Sequence, residues 1–147
     1  MHVIMNKKII IIPIVVVVTI FLVSFSTDVP SEKNDVSFHV TLADPNLYEN
    51  GEFSQVLTLE KGEYFFRFVP NGSSPNILSI TVVGENFSFD EDFELRNTLH
   101  QTGISEYFTW EYDGTHSFRI PESGEVEIIV NPNGNIMGSV SVDILEN

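Results

Sequence analysis

Residues 62–72 read GEYFFRFVPNG and residues 124–134 read GEVEIIVNPNG. Within each stretch the large apolar side chains fall on alternate positions: Tyr64, Phe66 and Phe68 in the first, Val126, Ile128 and Val130 in the second. Successive side chains of a strand point to opposite faces, so a period of two describes a strand with one face in a core. Pro70-Asn71-Gly72 in the first falls on Pro132-Asn133-Gly134 in the second with no gap. A shift of 62 positions also lays Leu78, Ile80 and Val82 on Val140, Val142 and Ile144. Each unit reads turn, strand, loop, strand. The expectation is two similar hairpins related by pseudo-symmetry inside one sandwich.

The same period governs most of what lies between. Val36, Phe38, Val40 and Leu42 alternate with Ser37, His39 and Thr41, and Phe53 to Leu59 forms a second, less regular strand. Phe108, Trp110 and Tyr112 make an aromatic stripe opposite Tyr107, Thr109 and Glu111; the one tryptophan of the sequence is assigned to the core. Asp113-Gly114 marks a tight turn, with Phe118 and Ile120 on the return strand. Only Asp92 to Gln101 (DFELRNTLHQ) suits a helix, for one or two turns, with Phe93, Leu95 and Leu99 on its apolar face. The fold class is all-β: an antiparallel, jelly-roll-like sandwich of about eight strands over residues 36–147, preceded by an N-terminal hydrophobic helix.

That helix is Ile9 to Phe25 (IIIIPIVVVVTIFLVSF), seventeen uncharged residues behind Lys7 and Lys8. At about 1.5 Å per residue it covers roughly 25 Å, slightly less than a hydrocarbon core, yet it is long for the apolar part of a signal peptide. The first reading is a retained anchor over residues 1–26, single-pass, with the lysine pair on the cytoplasmic side. The second is a signal cleaved after Ser26, leaving a secreted domain. Residues 27–35 hold Pro30 and several charges, and read as a linker.

All 21 Asp and Glu follow position 27, against five Lys and Arg, so this part carries −16. Such a field repels nucleic acid and anionic lipid and attracts cations and basic surfaces. The sequence contains no cysteine, which excludes disulfide staples, thiolate metal sites and cysteine nucleophiles.

The segments LTLEKGEYFFRFVPNG and FRIPESGEVEIIVNPNG resemble the strand-and-Asn-loop pattern of GOLD-type and prepeptidase-C-terminal-like β-sandwich modules. Those modules are non-catalytic and serve in protein or glycan contact on secretory or extracellular proteins. The resemblance implies a sandwich and a binding role, and carries over no site residue. The cysteine pair, coiled coil and C-terminal span that accompany GOLD-type modules are not seen in this sequence.

His39, His100 and His116 have no nucleophile elbow and no closely spaced partner ligand, and His39 falls on a polar strand face, where it is read as solvated. No catalytic residue and no resident cofactor is assigned. The densest acidic run offers Asp90, Asp92 and Glu94 as the ligands a Ca²⁺ would find, against the plainer reading of a solvated loop. Asn71 and Asn86 begin glycosylation sequons. Tyr107, opposite the aromatic stripe, is the candidate surface contact. The functional expectation is a non-enzymatic envelope module that contacts a protein; a secreted glycan-binding module comes second and a small exported hydrolase third.

Overall fold

The computed structural model describes residues 35–147. The N-terminal helix, the membrane segment Ile9 to Phe25 and the cleavage point after Ser26 lie outside the described residues. The described part is all-β, with nine strands: β1 (Val36–Leu42), β2 (Phe53–Leu59), β3 (Gly62–Pro70), β4 (Ile77–Gly84), β5 (Phe87–Gln101), β6 (Glu106–Asp113), β7 (Ser117–Ile120), β8 (Gly124–Asn131) and β9 (Val140–Glu146). A single 3₁₀ turn, Pro45–Leu47, separates β1 from β2; the Asp44 side chain accepts from the Asn46 N–H at its start.

The strands form two antiparallel sheets, ordered β1-β9-β3-β7 and β2-β8-β4-β5-β6. The alternate apolar residues read from the sequence meet between them. Phe66 is 2% exposed, and its ring lies 4.9 Å from Phe118, 5.6 Å from Phe89 and 5.7 Å from Phe93. Phe68 packs on Phe93 at 4.7 Å, while Ile80, Ile128, Val142 and Ile144 are fully buried. Aromatic pairs of this kind add about 0.5–1.5 kcal/mol beyond the area they bury.

The repeat is real, but its units are not hairpins. β3 lies in the first sheet and β4 in the second, while β8 lies in the second and β9 in the first. A two-residue turn folds a strand back on its neighbour, whereas the six-residue loop Asn71 to Asn76 carries the chain across to the opposite sheet. The symmetry appears in the pairing. Phe66 stands opposite Ile144 and Phe68 opposite Val142 in one sheet; Val82 stands opposite Ile128 and Ile80 opposite Val130 in the other. Adding or subtracting 62 turns each pairing into the other. Gly72 and Gly134, equivalent in the two units, have φ of +108° and +84°, which is why both are glycine.

Two further expectations are corrected. Asp92 to Gln101 is strand, because Phe87, Phe89, Glu91, Phe93 and Leu95 continue one period-two face and β4 offers an unbroken partner from Gly84↔Phe87 to Ile77↔Glu94. The Asp113-Gly114 turn does not close a hairpin: β6 belongs to the second sheet and β7 pairs with β3 in the first.

The chain enters the sandwich beside its last strand, where the Glu146 N–H donates to the Asp35 carbonyl. The β2–β3, β4–β5 and β7–β8 turns gather at this end, through Leu59↔Gly124, Gly84↔Val126 and Gly62↔Ile120. β5 starts there and runs to the opposite end.

Candidate functional site

β5 is fifteen residues long, and β4 covers it only as far as Glu94. The Leu95 N–H still donates to the Asn76 carbonyl, and from Arg96 to Gln101 the one strand paired with β5 is β6, in unbroken register to Gln101↔Glu106. At about 3.4 Å per residue this two-stranded ribbon runs on for roughly 23 Å past the end of β4, at the end opposite the chain's entry, with its base beside β3 of the first sheet. Its tip closes through Thr102, whose N–H donates to the Ser105 carbonyl and whose hydroxyl accepts from the Ser105 N–H.

One face of the ribbon continues the core stripe outward. Leu95 and Trp110 are half-buried at its base, whereas Leu99 and Phe108, directly paired, are 44% and 54% exposed. The Phe108 and Trp110 rings lie 6.3 Å apart, and Ile104 at the tip is fully exposed. The assignment of Trp110 to the core is therefore corrected, and of the stripe only Tyr112 is buried. A single exposed apolar residue needs no explanation, but a contiguous aromatic and aliphatic row on a projecting element marks a contact surface.

The other face is polar. Tyr107 is 52% exposed and stacks on His100 at 4.9 Å, and His100 Nε2 lies 2.8 Å from Thr109 Oγ1. Arg96 donates to Glu94 at 2.9 Å and lies 3.6 Å from Asp113. Glu111 is in no ion pair among the described residues.

The ribbon's base is fastened to both sheets. Tyr112 Oη donates to the Pro75 carbonyl at 2.7 Å; burial, then nearby Tyr48, pushes this phenol well above its ordinary pKa. The Phe66 N–H donates to the His116 carbonyl, and the two His116 ring nitrogens face the carbonyls of Phe66 and Tyr112 at 3.1 and 2.9 Å. A Cβ on Gly114 would lie 2.7 Å from the Phe93 ring, so the turn closes only around glycine. Beside this base Phe65, Arg67, Trp110 and Glu111 line a cleft of about 300 Å³.

A second polar cluster lies on the outer face of the first sheet. Asp143, on the inner strand β9, stands in register between His39 on β1 and Arg67 on β3 and is only 3% exposed. His39 Nδ1 hydrogen-bonds Asp143 Oδ1, while Arg67 Nε and Nη2 donate to Oδ2 at 2.9 and 2.7 Å. Burial raises the Asp143 pKa, but the hydrogen bonds and charges of His39 and Arg67 outweigh it and hold the carboxyl below its ordinary value. Thr41 Oγ1 sits 3.3 Å from His39 Nε2 and 2.9 Å from Ser141 Oγ. His39 thus lies on the polar face as expected, but is engaged with a carboxylate. The carboxylate–imidazole–hydroxyl order resembles a nucleophilic triad. Acyl transfer also needs donors aimed at a developing oxyanion, and strand N–H groups point sideways along the sheet rather than out of its face. The geometry fits a clamp across three strands.

The acidic run is not a loop. Asp90, Asp92 and Glu94 share the outer face of β5, spaced two residues apart, and each is engaged separately: Asp90 by Thr81, Asp92 by Ser79, Glu94 by Arg96. Among the described residues no group of three or more His, Asp or Glu is placed to hold a metal. Asn71 and Asn86 are exposed in loops at opposite ends of the sandwich. The sequence reading found Tyr107 and missed Leu99, Phe108 and Ile104. The signal for them was the single period-two face that runs from Phe87 through Leu99, too long for β4 to cover.

No family model, curated protein or solved structure matches the chain.

Proposed function

We propose that the chain is a non-enzymatic β-sandwich module of the cell envelope, tethered through Ile9 to Phe25 or exported, that contacts a protein partner through the β5–β6 ribbon. The observation that carries the reading is the exposed apolar pair Leu99 and Phe108, with half-buried Trp110 beside them and Ile104 exposed at the tip, on an element that runs on beyond β4. We read the strand order, with β6 added to one sheet, as a jelly roll, a scaffold whose loops and edges serve recognition. The ribbon leaves the domain at the end opposite Asp35 and Val36. A pull-down from detergent-solubilised native membranes tests this. The wild-type chain should retain a fixed partner that Leu99→Glu/Phe108→Glu loses while its melting temperature is unchanged; an identical partner list for both overturns the reading.

The glycan-binding reading has one observation of its own, the Tyr107–His100 stack beside Thr98 and Thr109, an aromatic platform with hydroxyls around it. Binding on a glycan array that Tyr107→Ala abolishes would favour it.

A further inference from the structure

Resting on the protein-contact reading above, we infer that the free edge of β6 accepts an added strand, an extended segment of a basic partner in which apolar and cationic residues alternate.

β6 ends the second sheet, bonded to β5 on one side; on the other, His116 takes the Tyr112 carbonyl and β3 lies beside Trp110 to Tyr112, so the open edge runs from Glu106 to Trp110. Sheet edges offer unpaired N–H and C=O groups, and folds blunt them with bulges, short strands, proline or lysine. Two of the other edges carry such devices: β1 has a register break between Val36 and Phe38, and β7 is four residues long. β2 exposes one large apolar side chain, Val56. β6 (EYFTWEYD) is eight residues long, straight in register, and holds neither proline nor lysine. Left bare, such an edge recruits a strand.

The faces of β6 set the partner's chemistry. A strand laid against it alternates its side chains between the same two faces. On one face they meet Phe108 and Trp110, with Leu99 behind, so every second residue is apolar. On the other they meet Tyr107, Thr109 and Glu111, where Glu111 is in no ion pair among the described residues, so the intervening residues are basic. The wider field agrees. With Asp28 and Glu32 left out, 19 of the 21 acids fall in residues 35–147, against only Lys61, Arg67, Arg96 and Arg119. That balance disfavours a second copy of this chain and an anionic bilayer as occupants.

Trp110 is the one tryptophan of the chain and lies on β6, so its fluorescence reports directly on the edge. The probe is a nine-residue peptide alternating valine and lysine, titrated into the full chain in detergent. Three controls accompany it: a block-ordered peptide of the same composition, and two peptides N-methylated at alternate residues, on one edge or on the other. The expected result is a saturable change in Trp110 emission from the alternating peptide. Affinity should fall at least tenfold for the block-ordered peptide, and tenfold on N-methylation of one edge but not of the other. It should also fall tenfold in Leu99→Glu/Phe108→Glu, whose melting temperature serves as the folding control. No saturable change, or equal affinity for both N-methylated peptides, overturns strand addition. Either result leaves the protein-contact reading to its own test, the partner retained or lost in the pull-down.

Discussion

Leu99 stands directly opposite Phe108 across the ribbon, and both side chains are left about half in water although the face they share leads straight into the core at Leu95 and Tyr112. The stripe is continuous, while the cover ends where β4 ends. That contrast separates residues that hold the fold from residues available for contact.

It leads first to a stability contrast. Phe66→Ala removes a ring buried against four other phenylalanines and is expected to cost about 3–5 kcal/mol. Phe108→Ala, on the ribbon, should stay within about 0.5 kcal/mol of wild type. Urea denaturation of both variants checks this, and a cost at Phe108 comparable to that at Phe66 would mean that its face is covered.

A second expectation concerns acid. Asp143 has its carboxyl pKa depressed in the fold, so its contribution is present above the unfolded value of about 3.9 and is lost as pH falls through the lower native value. The stability gap between wild type and Asp143→Asn should close below about pH 4. A gap that widens on acidification would show the opposite sign of shift.

The turn at the ribbon's base gives a third. Gly114→Ala forces a methyl to within 2.7 Å of the Phe93 ring and should destabilise by about 1–3 kcal/mol. Gly103→Ala, with open space around its Cβ position at the ribbon tip, is the matched control and should change little. Thermal melts of the pair decide it.

The strands that frame the core were legible because each carries its own period of two. Phe38 to Leu42, Tyr64 to Phe68 and Val126 to Val130 take the faces their alternation predicts, while Val36, set off by a register break before Phe38, is exposed. What escaped depends on partners far away in sequence. Phe93, Leu95 and Leu99 fit a helical stripe loosely and a strand face well, and the choice falls to β4, which pairs with the first half of β5. The same strand's length, set where Ile77 begins, decides that Trp110 is half-buried rather than core. The His39–Asp143–Arg67 clamp rests on a register between residues 104 and 76 positions apart, and nothing local to His39 announces it.

The most direct measurement is site-specific photo-cross-linking from the ribbon in native membranes, with a benzophenone side chain placed at Phe108 in one preparation and at Val56, on the β2 edge of the same sheet, in another. The account requires a discrete protein adduct from Phe108, to a partner other than this chain, that Val56 does not give. Adducts of equal yield from both positions, or from neither, would contradict the claim that the β5–β6 ribbon is the contact surface.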